Sequence, residues 1–279
     1  SSIKYFSYKK KLFYQRTLNL WGKESHKKNK DLHNVNIKTH IEMLFKYIPM
    51  THFKGNLLEI GCGEGIDMNY LLNKNNKIKG YYAIDIGENI YNLRKKFKDK
   101  RIFFSRSDCQ YLPFKNNVFD IIYSYGVYHH THNIEAALKE SRRVLKLKGE
   151  IIFYSYKKQK NILKRLGIHY ETILMKIFSN INYSITKIIL YFFSPIILLF
   201  SSYPSKIFAL IGYKNIQKRF PLWWGTTPNS IIFDLLDRLY SPINRRYNEN
   251  ELNLLLHKLN FNNIKVFKDV SGLIAIASK

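Results

Sequence analysis

The feature that most limits the possible folds of this chain is an apolar strand that runs into three glycines and then into a helical pattern. Residues 57–65 read Leu-Leu-Glu-Ile-Gly-Cys-Gly-Glu-Gly. Gly61 and Gly63 permit backbone angles that are closed to other residues, and Gly65 lets the next helix begin close to the sheet. This pattern predicts a ligand-binding turn. A dinucleotide fingerprint needs a glycine where Ile66 stands, so the spacing disfavours a nicotinamide dinucleotide.

Downstream of this turn, short apolar runs alternate with amphipathic stretches, as in a parallel sheet joined by crossover helices. We therefore predict an α/β fold. The runs predict strands near 56–61, 81–85, 102–105, 119–124 and 150–155, and helices near 66–73, 88–97 and 133–147.

Helical patterns flank this core on both sides. The first ends before Pro49 and has apolar residues at helical spacing: Ile37, Ile41, Leu44, Phe45 and Ile48. Asn248 and Glu251 form a capping pair ahead of a second apolar stripe, which comprises Leu252, Leu255, Leu256 and Leu259. Two strands near 263–268 and 272–278 follow, and their short connection predicts a hairpin with one antiparallel strand.

The chain divides into four predicted segments: an N-terminal helical cap at 1–50, the ligand-binding core at 51–156, a mainly helical insertion at 157–246, and the final helix and hairpin at 247–279. The insertion holds a charge-free apolar run at 188–205, near the length of a membrane span. A single crossing would separate strands of one sheet, and Pro195 and Pro204 favour two short helices. We expect a buried lid over a large pocket, with an interfacial membrane contact as the alternative.

Composition limits the setting of the protein. The 279 residues include 46% hydrophobic residues, which is enough for a substantial core. Two cysteines without zinc spacing indicate a reducing cytoplasm and no metal site, and the basic, aromatic first residues are unlike a secretory signal. The net charge of +26 favours nucleic acid or an anionic membrane surface as a partner, unless it is only a lysine-rich solvated surface.

Three acidic residues follow predicted strands or lie in the turn. Glu59 suits a ligand with positive charge, such as the sulfonium and ammonium of S-adenosylmethionine, whose carboxylate would face the backbone donors of the turn. A capping role is the alternative for Glu59. Asp85 is placed to accept from both ribose hydroxyls. Asp108 is placed to accept from an adenine amino group while the Cys109 amide reaches a ring nitrogen, although a turn-forming role fits Asp108 equally well.

These motifs, in this order, resemble the class I S-adenosylmethionine-dependent methyltransferases of the bacterial group that includes quinone-biosynthesis enzymes. The resemblance covers about a hundred residues and includes Glu59 to Gly65, Ala83-Ile84-Asp85, Asp108 with Leu112-Pro113-Phe114, Phe119-Asp120, Gly126 to His130, and Arg142 to Lys146. It implies a Rossmann-like seven-stranded, mostly parallel sheet with the last strand antiparallel. Lys148-Gly149 departs from the usual Pro-Gly-Gly of the group.

The resemblance implies S-adenosylmethionine as cofactor and S-adenosylhomocysteine as product. The expected cofactor-binding residues are Glu59, Gly61, Cys62, Gly63, Gly65, Asp85, Ile86, Asp108, Cys109 and Ser124. His129 and His130 follow the fourth strand, and a neutral imidazole is a suitable base near pH 7. A structural role is the alternative for this pair. The expected acceptor pocket comprises Tyr125, Tyr128, Trp223, Trp224 and Tyr240, although core packing fits one of the tyrosines and the tryptophans.

We therefore predict methyl transfer to a small or amphiphilic acceptor. The alternative is an RNA methyltransferase that uses the basic flanks, where residues 1–50 hold 11 basic and 3 acidic residues and residues 157–246 hold 14 and 3. The base-flipping Asn/Asp-Pro-Pro-Tyr motif is missing from the sequence, which disfavours this alternative. We predict a cytoplasmic protein, with membrane association as the alternative.

Overall fold

A computed structural model of the protein describes residues 42–160, 162–178, 180–213, 216, 227–241, 243–269 and 272–279. These residues form two compact units. The core unit contains 42–160 and 243–279, and the insertion unit lies within 161–242. Ile37, Ile41, Trp223 and Trp224 lie outside the described residues.

The core unit is built on a seven-stranded sheet with the order β3-β2-β1-β4-β5-β7-β6. Its strands are β1 (Gly55–Ile60), β2 (Ile78–Asp85), β3 (Ile102–Arg106), β4 (Phe119–Tyr125), β5 (Leu145–Tyr156), β6 (Asn262–Lys268) and β7 (Gly272–Ser278). The first five strands are parallel, and β7 runs antiparallel to both β5 and β6. The predicted α/β class and the antiparallel last strand are therefore confirmed.

Helices cover both faces of this sheet. They are α1 (Glu42–Tyr47), α2 (Ile66–Lys74), α3 (Asn89–Lys96), α4 (Ile134–Val144) and α9 (Glu249–Lys258). Alternate residues of each strand face opposite sides, so Leu57 packs in one apolar cluster with α1, α2 and α3, whereas Leu58 packs in the other with α4 and α9. The predicted Asn248 and Glu251 capping box at the start of α9 is confirmed.

The boundary between α4 and β5 differs from the prediction. The helix ends at Val144, and β5 already begins at Leu145, where it pairs with Phe119. Lys148 then takes a φ of 63° inside the strand, and the register shifts next to it. A β-branched valine followed by a fully buried leucine favours the strand here.

The insertion unit contains α5 (Ile162–Phe178), α6 (Tyr183–Ile197), a π-helical turn (Leu198–Ser202), α7 (Tyr203–Leu210) and α8 (Pro228–Tyr240). The prediction that Pro195 and Pro204 separate two helices is wrong, because residues 183–210 form one helical stretch. Pro195 lies inside α6, and the π turn places Pro204 in the first turn of α7, where a missing N–H costs nothing.

Large apolar side chains of this helical stretch are exposed, and the expected lid over an acceptor pocket stays a prediction. Phe192 is 74% exposed and Phe200 is 72% exposed. The buried positions form one narrow stripe of mostly small residues, which comprises Thr186, Leu190, Ser194, Leu198, Ser202 and Ser205. Helix α8 packs against α6 and α5 within this unit.

Candidate functional site

The glycine turn lies at the end of β1, between the strand and α2. Gly61, Gly63 and Gly65 all take positive φ, with values of 77°, 50° and 70°. A Cβ on Gly61 would lie 2.2 Å from a methyl of Val127, whereas a Cβ on Gly63 would meet nothing within 4 Å. Gly61 therefore serves close packing, and Gly63 leaves open space above the turn.

The backbone donors of this turn bond inside the protein. The amides of Gly61 and Cys62 both donate to the carbonyl of Ile84, at 2.8 and 3.0 Å, and the Gly65 amide donates to the Cys62 carbonyl at 2.8 Å. The Gly63 amide donates to Asp85 Oδ2 at 2.9 Å. These four amides therefore have acceptors within the protein, and the expectation that backbone donors of the turn face a cofactor carboxylate stays a prediction.

Asp85 ends β2 and fixes the turn from the neighbouring strand. Its Oδ1 accepts from the Gly87 amide at 2.8 Å, while its Oδ2 accepts from Gly63. Burial raises the pKa of this carboxyl, and the backbone hydrogen bonds oppose that rise. Hydrogen bonds from the Asn89 side chain and the Ile86 amide also lower the pKa of this carboxyl, and the expected contact with ribose hydroxyls stays a prediction. Asn89, which the sequence did not single out, donates from its side chain to the Gly63 carbonyl.

A second buried carboxyl lies beside Glu59, and sequence reasoning missed it. Glu59 Oε2 accepts from the Tyr81 hydroxyl at 2.9 Å, and Asp67 Oδ2 accepts from the Tyr123 hydroxyl at 2.7 Å. Burial raises the pKa of Asp67 to about 6. Burial raises the pKa of Glu59 well above its usual value, and the charges of Asp67 and Asp85 add to this rise. The charges of two neighbouring acidic groups therefore oppose the ionisation of Glu59 in a buried site.

The residues expected around the adenine have structural partners of their own. Asp108 accepts from the Gln110 amide at 2.9 Å and from the Gln110 side chain at 3.1 and 3.2 Å, which is the geometry of its turn-forming alternative. Gln110 in turn accepts from the Asn133 amide at 3.0 Å. Cys109 is buried, and burial raises the pKa of its thiol, as it does for Cys62.

The two remaining cofactor candidates brace strand ends. The fully buried Ser124 donates from its hydroxyl to the Ile60 carbonyl at 3.1 Å, which ties β4 to the end of β1. The Ile86 carbonyl accepts from Arg106 Nε at 3.0 Å, which ties the loop after β2 to β3.

The two histidines differ sharply in their surroundings. His129 is fully buried, and neither ring nitrogen has a hydrogen-bond partner among the described residues. Burial lowers the pKa of His129 well below its usual value, and His130 and Arg246 add to this effect. His130 is half-buried, and its Nδ1 lies 2.6 Å from the Ile243 carbonyl. Because a carbonyl can only accept, Nδ1 carries the proton and the lone pair of His130 lies on Nε2.

Aromatic rings surround this histidine pair. His129 lies 4.1 Å from Tyr156 between ring centroids, and Tyr125 stacks on Tyr154 at 4.4 Å. Tyr128 has no exposed surface, and its hydroxyl lies 2.6 Å from the Ser141 hydroxyl. The expected pocket role of Tyr128 is therefore corrected to core packing. The backbone of Tyr240 belongs to α8, and its side chain lies outside the described residues.

The loop that carries the histidines is held by the segment after the insertion, which sequence reasoning also missed. The Arg245 amide donates to the His129 carbonyl at 3.0 Å. The Arg245 guanidinium donates to the carbonyls of Thr131 and His132, the latter at 2.9 Å. The Arg245-Arg246 pair in a segment otherwise poor in motifs was the only available signal.

The site fits a cationic ligand beside the glycine turn. The open space at Gly63 admits a ligand without a clash, and Gly126 likewise has nothing within 4 Å of a Cβ position. Glu59, Asp67 and Asp85 are buried acidic groups, and burial opposes the ionisation of each of them. A ligand with a sulfonium and an ammonium would offset this charge.

Comparisons with known proteins point the same way. Residues 58–153, about a third of the chain, match the family described as a methyltransferase domain. A sterol 4-C-methyltransferase of Caenorhabditis elegans is 31% identical over 120 residues, which cover 42% of this chain and 35% of that protein. An uncharacterised protein of Methanocaldococcus jannaschii is 36% identical over 100 residues, which cover 36% of this chain and 40% of that protein. The matches thus span well under half of these relatives.

Solved structures share the fold of the chain. Human N-acetylserotonin methyltransferase, solved in complex with S-adenosylmethionine, is 12% identical with a TM-score of 0.52, over 89% of this chain and 53% of that chain. An S-adenosylmethionine-dependent methyltransferase of Thermotoga maritima is 17% identical with a TM-score of 0.51, over 89% and 91% of the two chains. The expected cofactor, S-adenosylmethionine, is the one named for both of these solved structures. The core of this chain is therefore similar to a methyltransferase domain over residues 58–153, and it shares its fold with S-adenosylmethionine-dependent methyltransferases.

Proposed function

We propose that the protein transfers a methyl group from S-adenosylmethionine to a small or amphiphilic acceptor and releases S-adenosylhomocysteine. The main support is the group of buried acidic residues Glu59, Asp67 and Asp85 around an open glycine turn. In the absence of a cation this arrangement is unfavourable, since burial and mutual repulsion both oppose ionisation. It is therefore suited to a ligand that brings positive charge.

The protein's part in the reaction is alignment and proton removal. S-adenosylmethionine supplies an activated methyl group, and transfer is an in-line displacement that depends on the position of the acceptor. We assign the base role to His130 rather than His129, because the Ile243 carbonyl fixes the proton of His130 on Nδ1. The lowered pKa of the buried His129 makes it a weak base.

An aromatic, largely apolar wall supports the proposed acceptor class. Tyr154 and Tyr156 pack against His129, and Tyr125 stacks on Tyr154. Arg246 lies over the Tyr156 ring at 5.3 Å. Such surfaces favour flat or amphiphilic molecules. The similarity to a sterol methyltransferase supports the same class. We also propose a cytoplasmic location, because both cysteines are free thiols.

The cofactor site is tested with Gly63→Ala. We expect at least a tenfold loss of affinity for S-adenosylhomocysteine in isothermal titration calorimetry, because the added methyl would enter the open space above the turn. Gly212→Ala is the matched control, since Gly212 also has positive φ and nothing within 4 Å of its Cβ position. Equal affinity in the wild type and Gly63→Ala, with both variants folded, would place the cofactor elsewhere.

Asp85→Asn tests the ribose contact in the same assay. The amide keeps one oxygen for the backbone but presents a donor in place of the second oxygen, so we expect at least tenfold weaker binding. Asp99→Asn is the control, because Asp99 is paired with Arg101 on the surface of the core unit. Unchanged affinity in Asp85→Asn contradicts the assignment.

The acceptor class is tested with methyl-labelled S-adenosylmethionine and fractionated extract of the source organism. We expect label in the organic-soluble small molecules. Label that appears only in RNA and disappears on ribonuclease treatment would support the basic flanks as an RNA-binding surface and overturn the proposed acceptor class.

A further inference from the structure

The helical stretch of residues 183–210 carries a wide apolar face without a partner among the described residues of the insertion unit. Among the described helices, it is the one that is long and apolar enough to cross a membrane. Over an 18-residue stretch of this helix the mean hydropathy is 1.8, and only 22% of that stretch is buried. Six large side chains on this face are each more than half exposed: Ile188, Phe192, Phe193, Ile196, Leu199 and Phe200. Soluble proteins rarely leave an apolar patch of several large side chains exposed to solvent.

The buried stripe shows that the other side of the helix already has a partner. Thr186, Ser194 and Ser202 are fully buried, and α6 packs against α8 within the insertion unit. At 100° per residue, the exposed side chains fall on the opposite side of the helix from this stripe. The helix thus has one face for the protein and one face for an apolar environment.

The sequence segment that contains this helix carries charge of one sign. Residues 172–233 contain six basic residues and no acidic residue. Lys187 and Lys206 stand at the two ends of the charge-free run, and both are half-buried, as expected for long side chains whose charged ends reach away from apolar surface. This pattern complements anionic lipid headgroups, and it disfavours a second copy of the same basic chain as the occupant.

The connectivity of the sheet decides how the helix meets a bilayer. Strand β5 precedes the insertion, and its antiparallel neighbour β7 follows it. A single crossing would place these paired strands on opposite sides of the membrane. Helix α5 includes Lys164, Arg165, Glu171 and Lys176, so it does not supply a second crossing. The helix therefore lies in the plane of the interface.

We infer that the α6–α7 helix docks the protein on one leaflet of an anionic membrane, with its apolar face in the acyl region and its serine stripe on α8. This inference is independent of the methyltransferase proposal.

The test is co-sedimentation of the full chain with vesicles of phosphatidylcholine, with and without phosphatidylglycerol. We expect binding to the anionic vesicles and at least tenfold weaker binding by the double variant Phe192→Glu, Phe200→Glu. The matched control is Leu147→Glu in the core unit, where the side chain is 79% exposed, and it should bind as the wild type does. Circular dichroism and calorimetry with S-adenosylhomocysteine verify that the variants are folded.

Insertion depth is read with an environment-sensitive fluorophore on Phe192→Cys, since the native Cys62 and Cys109 are buried. A blue shift on anionic vesicles supports the inference. Equal binding of the double variant and the wild type overturns the inference. Equal binding to vesicles with and without phosphatidylglycerol also overturns it. Dimerisation through this face without vesicle binding, seen by analytical ultracentrifugation, overturns it in favour of a second copy. Failure of the methyltransferase proposal would leave vesicle binding unchanged.

Discussion

His129 is the buried side chain whose surroundings are least favourable to it. Both ring nitrogens lack a hydrogen-bond partner among the described residues, although the ring contacts His130 and Tyr156 closely. A buried polar group without a partner costs about 1–3 kcal/mol. Costs of this kind persist at functional sites, so we expect the ring to meet a polar group of a bound ligand.

His129→Phe should therefore stabilise the ligand-free protein by about 1–3 kcal/mol, because it keeps the ring shape and removes the two polar atoms. Urea unfolding measures the change. The control is Tyr128→Phe, which removes the hydroxyl beside Ser141 and should cost about 1 kcal/mol. A loss of stability in His129→Phe would show that the imidazole is satisfied in the native state.

At the scale of single residues, the sequence predicts those residues whose role follows from a motif. Asp85 ends a recognisable strand and is found at the glycine turn. Asp67 and Arg245 escape prediction because their roles depend on contacts with Tyr123 and with the His129 loop, which are 56 and more than a hundred positions away. A charged residue in a helical or loop pattern is ordinarily a solvated one, so no local signal marks it.

At the level of elements, the start of β5 contains a local conflict. Lys148 has a φ of 63°, and a side chain is disfavoured there. A Cβ on the next residue, Gly149, would lie 3.0 Å from the carbonyl oxygens of Lys146 and Phe119, so a side chain there would require these backbone atoms to shift. The strand is held by pairing of Leu145 with Phe119 on one side and of Glu150 with Ile121 on the other.

Lys148→Gly should relieve this conflict. We expect a gain of about 0.5–1 kcal/mol in the free energy of unfolding, because the relief of backbone strain exceeds the added entropy of the unfolded chain. Thermal unfolding measures the gain. Leu147→Gly is the matched control, since this exposed neighbour lies in ordinary strand geometry and its replacement should destabilise. Equal effects of Lys148→Gly and Leu147→Gly on stability would show that the backbone at Lys148 is not strained.

Element prediction succeeds where one local pattern dominates. The alternating strands and the Asn248 capping box were predictable because periodicity and capping are local. The continuous helix of residues 183–210 was not predictable. A proline inside a helical pattern ordinarily predicts a helix end, and the helix continues here because the backbone hydrogen bonds shift around the prolines. The amide of Tyr203 donates to the Leu198 carbonyl, one residue further than in an α-helix, and this shift admits Pro204.

For the molecule as a whole, buried acidic and basic groups have opposite effects on stability as pH changes. Asp67 has a native pKa of about 6, above its value in an unfolded chain, so the native state binds more protons between about pH 4 and 6. Glu59 acts in the same direction. The native pKa of His129 is lowered, so this residue removes stability as pH falls below about 6.5.

Asp67→Asn should therefore stabilise the ligand-free protein at pH 8, with a gain that shrinks as pH falls through 6 toward 4, because the wild-type carboxyl then becomes neutral. The amide oxygen still accepts from the Tyr123 hydroxyl, so the fold is kept. Urea unfolding at several pH values measures the gain. Asp99→Asn is the control, since Arg101 lowers the pKa of Asp99. Its replacement should leave the change in unfolding free energy between pH 5 and 7 as it is in the wild type.

The Asp67 carboxyl links the stability of the protein to the binding of the cofactor. Binding of the cationic S-adenosylmethionine should favour ionised Asp67 and Glu59, so wild-type affinity should rise from pH 5.5 to pH 8. In Asp67→Asn the rise should be smaller, and affinity at pH 8 should be lower than in the wild type even though the ligand-free protein is more stable. Calorimetry at the two pH values measures both effects. A pH-independent wild-type affinity would show that the cofactor's positive charge does not interact with the carboxyl pair, and that stability and binding are set by separate groups.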